Sequence, residues 1–113
     1  MKHKARKRFG QNFLQDLALI GRIVDVINPK PHDNLIEIGP GQGALTFPLI
    51  ERCHKMTAIE LDRDLVKFLN QTVSSEHLTV VSQDVLTVDF KTFGADLRIV
   101  GNLPDNISTP IMM

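Results

Sequence analysis

The 113-residue sequence predicts one α/β domain built on an open parallel sheet with strand order 3-2-1-4. Three observations carry that reading. Short apolar runs recur four times along the chain. Helical patterns lie between the earlier ones. The glycines and acids best suited to a ligand fall where those runs end.

The elements follow in order. Leu17 to Ile27, LALIGRIVDVI, sets Leu17, Ile20, Ile23, Val24 and Ile27 near a 3.6-residue period, which predicts an amphipathic helix. Asp16 stands where an N-cap belongs, and Pro29 and Pro31 end the pattern. LIEIG, Leu35 to Gly39, reads as a buried strand running into a glycine-rich turn. A helix is expected over Ala44 to Cys53, with Pro48 early enough to be tolerated. Met56 to Glu60 is the second strand, and Asp62 caps a helix through RDLVKFLNQ. Leu78 to Asp84 and Leu97 to Asn102 are the third and fourth strands.

Strands alternating with helices imply βαβ units, and right-handed crossovers fix the order 3-2-1-4, a Rossmann-like arrangement. The order reverses between the first and fourth strands, and ligands bind outside the carboxyl ends at such a crevice. Gly39–Gly43, Glu60, Asp84 and Asn102–Asp105 all converge there. The fourth strand is expected to form a sheet edge with Leu97, Ile99 and Val100 poorly covered, leaving the chain marginally stable or prone to associate.

Composition narrows the class. Lys+Arg and Asp+Glu are equal at 13 each, yet five of the first eight residues are basic, leaving −5 on the remainder. A basic arm (Lys4, Arg6, Lys7 and Arg8 among them) on an acidic body suits an anionic partner, nucleic acid first, although a solvated terminus has the same composition. Cys53 is the only cysteine, which excludes an internal disulfide and suits a reducing compartment. No apolar run approaches the ~20 residues of a membrane span, no secretory signal is evident, and His3, His32, His54 and His77 lack metal-ligand spacing. A soluble, cytoplasmic protein without membrane or metal is the expectation.

The turn EIGPGQGAL has a physical reason for its glycines. A strand must bend sharply into a helix while its backbone nears a ligand; Gly39 and Gly41 meet that need and Gly43 permits close packing. Glu60, 21 residues after Gly39, can accept from both hydroxyls of a ribose, and Asp84 from an adenine amino group. Gly39, Gly41 and Ala44 also satisfy G-x-G-x-x-A, so an NAD-binding half is available. Against it, Glu37 brings negative charge near the place a pyrophosphate would take. S-adenosylmethionine has no phosphate and carries two cationic groups, so E-x-G-x-G with Pro40 favours S-adenosylmethionine. A tight turn without a ligand is the remaining alternative.

RKRFGQNFL, IEIGPGQGALT, IELDRDL, QDVL and GNLPDNISTP occur here in this order. As a set they closely resemble the ribosomal RNA small-subunit adenine dimethyltransferases. The resemblance covers nearly all of the chain. It implies an S-adenosylmethionine-dependent methyltransferase fold, incomplete in this chain, and transfer of two methyl groups to the exocyclic nitrogen of each target adenine. Residues 1–15 would form a basic arm and a cofactor-closing motif. Residues 16–113 would be the front half of the catalytic domain, with the C-terminal helical domain absent. Asn12 and Leu14 would close over the methionine part of the cofactor. Gly39 would approach it through its backbone, Glu60 would hold the ribose and Asp84 the adenine. Asn102 would lie between cofactor and target base. The implied partner is small-subunit ribosomal RNA or its pre-30S particle.

The implied chemistry needs a loop such as NLP. Adenine's exocyclic nitrogen is a poor nucleophile because its lone pair is delocalised into the ring. The Asn102 side chain and the Leu103 carbonyl can accept its hydrogens and favour a tetrahedral nitrogen, while Pro104 stiffens the loop. Alignment then contributes up to about 7–11 kcal/mol in favourable cases. The target base must leave its stack. Where the family has tyrosine or another aromatic, this chain has Asp105, which cannot stack. The loss is expected to cost about 1–3 kcal/mol. An alternative therefore stands beside the enzyme: a fragment that binds S-adenosylmethionine or RNA with impaired catalysis.

Overall fold

The computed structural model describes residues 16–101. Helix α1, Leu17–Ile27, begins as its sequence dictates: the Asp16 side chain accepts from the Leu19 N–H at 3.1 Å. Ile20, Ile23, Val24 and Ile27 form its buried face. Asn28 turns left-handed (φ 52°), donates to the Val24 carbonyl and ends the helix just before Pro29.

Strand β1 is Asn34–Ile38, α2 is Thr46–Cys53, β2 is Met56–Glu60, α3 is Arg63–Thr72, β3 is Leu78–Ser82 and β4 is Leu97–Gly101. Two 3₁₀ turns, Val85–Thr87 and Phe90–Phe93, lie between β3 and β4. All pairings are parallel, in the order β3-β2-β1-β4. The expected topology therefore holds, while boundaries move by one or two residues. After Ser82 the Gln83 N–H makes a last bond to the Glu60 carbonyl, and β3 ends because Asp84 then caps the first 3₁₀ turn. Helix α2 starts at Thr46 rather than Ala44 because Pro40–Gly43 is itself a hydrogen-bonded turn. Asp62 caps α3 as expected, accepting from Asp64 and Leu65.

The two sheet faces are covered differently. On one, the three helices bury Leu35, Ala58, Leu78 and Val100 with Ile27, Leu49, Cys53 and Leu69. On the other, Ile36, Ile59 and Ile99 lie beneath Val85, Val88, Phe90 and Phe93 of the segment holding the 3₁₀ turns. Each fully buried aliphatic side chain stabilises by about 1.5–3 kcal/mol. β4 is a sheet edge as expected, but the expected poor cover is corrected: Ile99 and Val100 are 2% and 1% exposed, and Leu97 is half-buried. The 3₁₀ segment takes the place of a crossover helix, and Asn34 Nδ2 fastens it by donating to the Phe93 carbonyl at 2.8 Å. Arg98 latches β4 to the end of α1, pairing with Asp33 at 2.7 Å and donating to the carbonyl of Ile27. That latch sits at the amino end of the sheet and leaves the carboxyl end to the site.

Candidate functional site

Register brings the four strand ends level. Ile38 pairs with Ile59 and with Gly101, and Glu60 pairs with Ser82. The Gly39 N–H donates to the Ile59 carbonyl at 2.9 Å, holding the start of the glycine turn against β2. Gly41 and Gly43 have opposite surroundings. Gly41 (φ +60°) has nothing within 4 Å of where a Cβ would stand, so its backbone faces open space. Gly43 (φ +92°) would drive a Cβ to 2.6 Å from the Phe47 ring. One glycine leaves room for a ligand; the other admits an aromatic side chain of α2.

Glu60 lies under the turn, 8% exposed. Its Oε1 accepts from the Gly41 N–H at 3.2 Å and its Oε2 from the Asp62 N–H at 3.0 Å. Each oxygen keeps a second lone-pair direction for a hydroxyl donor. Asp84 is half-buried past the end of β3; its Oδ1 accepts from the Leu86 N–H at 2.9 Å, which leaves Oδ2 for an amino group. Gly39, Gly41, Glu60 and Asp84 therefore share the carboxyl end of the sheet. Asn12, Leu14, Asn102, Leu103, Pro104 and Asp105 lie outside the described residues, as do Lys4, Arg6, Lys7 and Arg8 of the arm.

Sequence reasoning treated Glu37 only as a charge near the turn. It is fully buried, on the helix-covered face between Ala58 of β2 and Val100 of β4. The Thr46 hydroxyl donates to its Oε1 at 2.5 Å, and among the described residues its Oε2 has no hydrogen-bond partner. Burial pushes this carboxyl up to about 7; the Thr46 hydrogen bond opposes the rise and the Glu60 carboxylate adds to it. The sequence signal was available: Glu37 alternates with Leu35, so it points into the core rather than into solvent. Among the described residues no cluster of three or more His, Cys, Asp or Glu side chains could hold a metal, and no helix is long and apolar enough to cross a membrane.

The sequence profile of ribosomal RNA adenine dimethylases matches residues 2–113. The chain belongs to the ribosomal RNA adenine dimethylase family. A ribosomal RNA small subunit methyltransferase A of Legionella pneumophila (strain Corby) is 54% identical over 114 residues, covering all of this chain and 44% of the relative. The protein of that name in Aromatoleum aromaticum is 54% identical over 110 residues, covering 97% of this chain and 42% of its own length. The chain thus spans less than half the length of these dimethylase-family relatives. The 23S rRNA methyltransferase ErmE superposes with a TM-score of 0.64 at 25% identity, over 79% of this chain and 47% of that one. A dimethyladenosine transferase from Plasmodium falciparum superposes with a TM-score of 0.63 at 22% identity, over 79% and 32%. With its 3-2-1-4 parallel sheet, the chain has the S-adenosylmethionine-dependent methyltransferase fold of its family.

Proposed function

We propose that this chain supplies the cofactor-binding part of an enzyme that uses S-adenosylmethionine to dimethylate adenine amino groups in small-subunit ribosomal RNA. The carrying observation is the braced carboxylate of Glu60 beside the open backbone of Gly41. The residues present fit this cofactor. Glu60 offers acceptors to a ribose, Asp84 Oδ2 offers one to adenine, and the unpartnered Oε2 of Glu37 suits a cation better than a pyrophosphate. The cofactor, when bound, supplies a methyl group on a positively charged sulfur.

The roles of the chain's own residues follow. Glu60 fixes the ribose, and its two backbone contacts hold the carboxylate in place before the ligand arrives, lowering the ordering cost of binding. Asp84 orients the adenine ring. Asn12 and Leu14 close over the methionine end. Asn102 and the Leu103 carbonyl accept the target amine's hydrogens, and Pro104 limits the loop's freedom. Lys4, Arg6, Lys7 and Arg8 meet RNA phosphates of the small subunit or its pre-30S particle, in the cytoplasm.

Asp105 favours a second reading, a cofactor- or RNA-binding fragment with impaired transfer, because a carboxylate gives a flipped base no face to stack on. Methyl incorporation into small-subunit RNA separates the two. The enzyme reading expects incorporation by the native sequence in its full-length context. The fragment reading expects it to rise about 5- to 150-fold on Asp105→Tyr. Calorimetric titration with S-adenosylmethionine and with NAD tests the cofactor; preferential NAD binding overturns the methyltransferase reading.

A further inference from the structure

Glu37, whose charge suits a cationic ligand, is also a buried acid able to carry a proton. It is fully enclosed, one oxygen is held by Thr46, and the other has no partner among the described residues. Its sheet neighbours, Ala58 and Val100, offer no charge or donor. Helix α1 presents only apolar side chains to the core, and α2 contributes the Thr46 hydroxyl. The one charged group acting on it among the described residues is Glu60, of like sign. Two carboxylates beneath one turn, without a cation to offset them, are costly to ionise together.

We propose that Glu37 is a proton-carrying counter-charge beneath the cofactor cleft, neutral when the cleft is empty and ionised when a cationic ligand enters, so that cofactor binding expels a proton. The inference rests on the S-adenosylmethionine reading and deepens it. The proton leaves for solvent, and the resulting carboxylate, on the strand that leads into the glycine turn, is offset by the ligand's positive charge. The empty pocket thereby avoids a buried unpaired anion, and the full charge is present only when a cation can offset it. A carboxyl that titrates at about 7 when the cleft is empty, and below about 5 when a cation is bound, releases most of a proton at pH 6.

The test is calorimetry of the full chain at pH 6 in buffers of differing ionisation heat, with S-adenosylmethionine and with adenosine as the probes. S-adenosylmethionine should release roughly 0.9 proton per molecule bound and adenosine, which has no cation, almost none. Affinity for S-adenosylmethionine should rise nearly tenfold per pH unit between about pH 5.5 and 6.5. Glu37→Gln should abolish the release. Should that variant not fold, the contrast between the two ligands on the native chain decides the matter. S-adenosylmethionine bound without proton release, or equal release with adenosine, overturns the inference and leaves the cofactor reading standing. No S-adenosylmethionine binding at all overturns both.

Discussion

Glu37 stands one residue before the end of β1 and Glu60 ends the neighbouring β2; both are buried close to the glycine turn, yet the chain treats them in opposite ways. Glu60 receives a backbone N–H on each oxygen. Glu37 receives one hydroxyl and leaves its other oxygen bare. Burial and the donors around a carboxylate act together, and here the donors differ. Two N–H groups hold Glu60 in a fixed orientation, ready for a ligand's hydroxyls. Burial raises the affinity of Glu37 for a proton, the Thr46 hydroxyl opposes that rise, and the Glu60 carboxylate adds to it.

The largest effect expected from this contrast is on Glu60→Ala. The substitution removes the acceptor for Gly41 and Asp62 together with the ribose contact, and hydrogen bonds to a charged group are worth about 1.5–3 kcal/mol each. S-adenosylmethionine affinity, measured by calorimetry, should fall on the order of 100-fold or more. Glu37→Gln should weaken it less, by roughly tenfold. An inverted order would show that the unpaired acid, and not the braced one, holds the cofactor.

Stability separates the pair next. Folding raises the Glu37 carboxyl from 4.5 to about 7, so the folded chain favours its protonated form. That contribution is complete below about pH 4.5 and is lost as pH rises through about 7, a total of about 3 kcal/mol. Glu37→Gln carries no charge and escapes the loss. Its Tm should exceed the native value by roughly 5–10 °C at pH 8 and match it at pH 5, allowing for one unpaired amide donor. A Tm difference independent of pH would show that Glu37 is not the titrating group.

The turn's two glycines sharpen the contrast on a smaller scale. Gly43→Ala forces a methyl into the Phe47 ring and also bears positive-φ backbone strain, so it should cost about 2–5 kcal/mol of stability. Gly41→Ala meets no atom and bears only the left-handed backbone strain of about 1–2 kcal/mol. Gly41→Ala should instead impair S-adenosylmethionine binding more than Gly43→Ala does, because its new methyl projects into the space assigned to the ligand. Thermal melts and titrations of the two variants check both halves.

Much of the fold and part of the site are legible in the sequence, and unevenly so. The order 3-2-1-4 followed from alternation of element types, because chirality leaves few ways to connect parallel strands. Asp16 and Asp62 were readable as caps because a cap is local. The cover over Ile99 was not readable: Val85, Val88, Phe90 and Phe93 have no helical or strand period, so nothing in their spacing announces a face. The state of Glu37 was unreadable for another reason. Its inward direction follows from strand alternation, but its partner Thr46 comes to it only when the glycine turn folds α2 over β1, and an unmade hydrogen bond leaves no mark in a sequence. Glu60 and Asp84 were named because an acid ending a strand is a local pattern. The bonds that brace them are backbone contacts from loops.

Asp84 extends the comparison to a third acid, and its effect should be the smallest. Like Glu60 it is oriented by a backbone donor, the Leu86 N–H, but by one rather than two, and it is half-buried. Asp84→Asn keeps that contact through its carbonyl oxygen, so the 3₁₀ turn should remain and stability should change by under about 0.5 kcal/mol. What changes is the outer position, where an acceptor for the adenine amino group becomes an amide donor facing another donor. Solvent reaches this position and screens the mismatch, so S-adenosylmethionine affinity should drop about three- to tenfold, well short of Glu60→Ala. If the two variants weaken binding equally, buried bracing confers no advantage on Glu60, and the ranking of these acids by their donors fails.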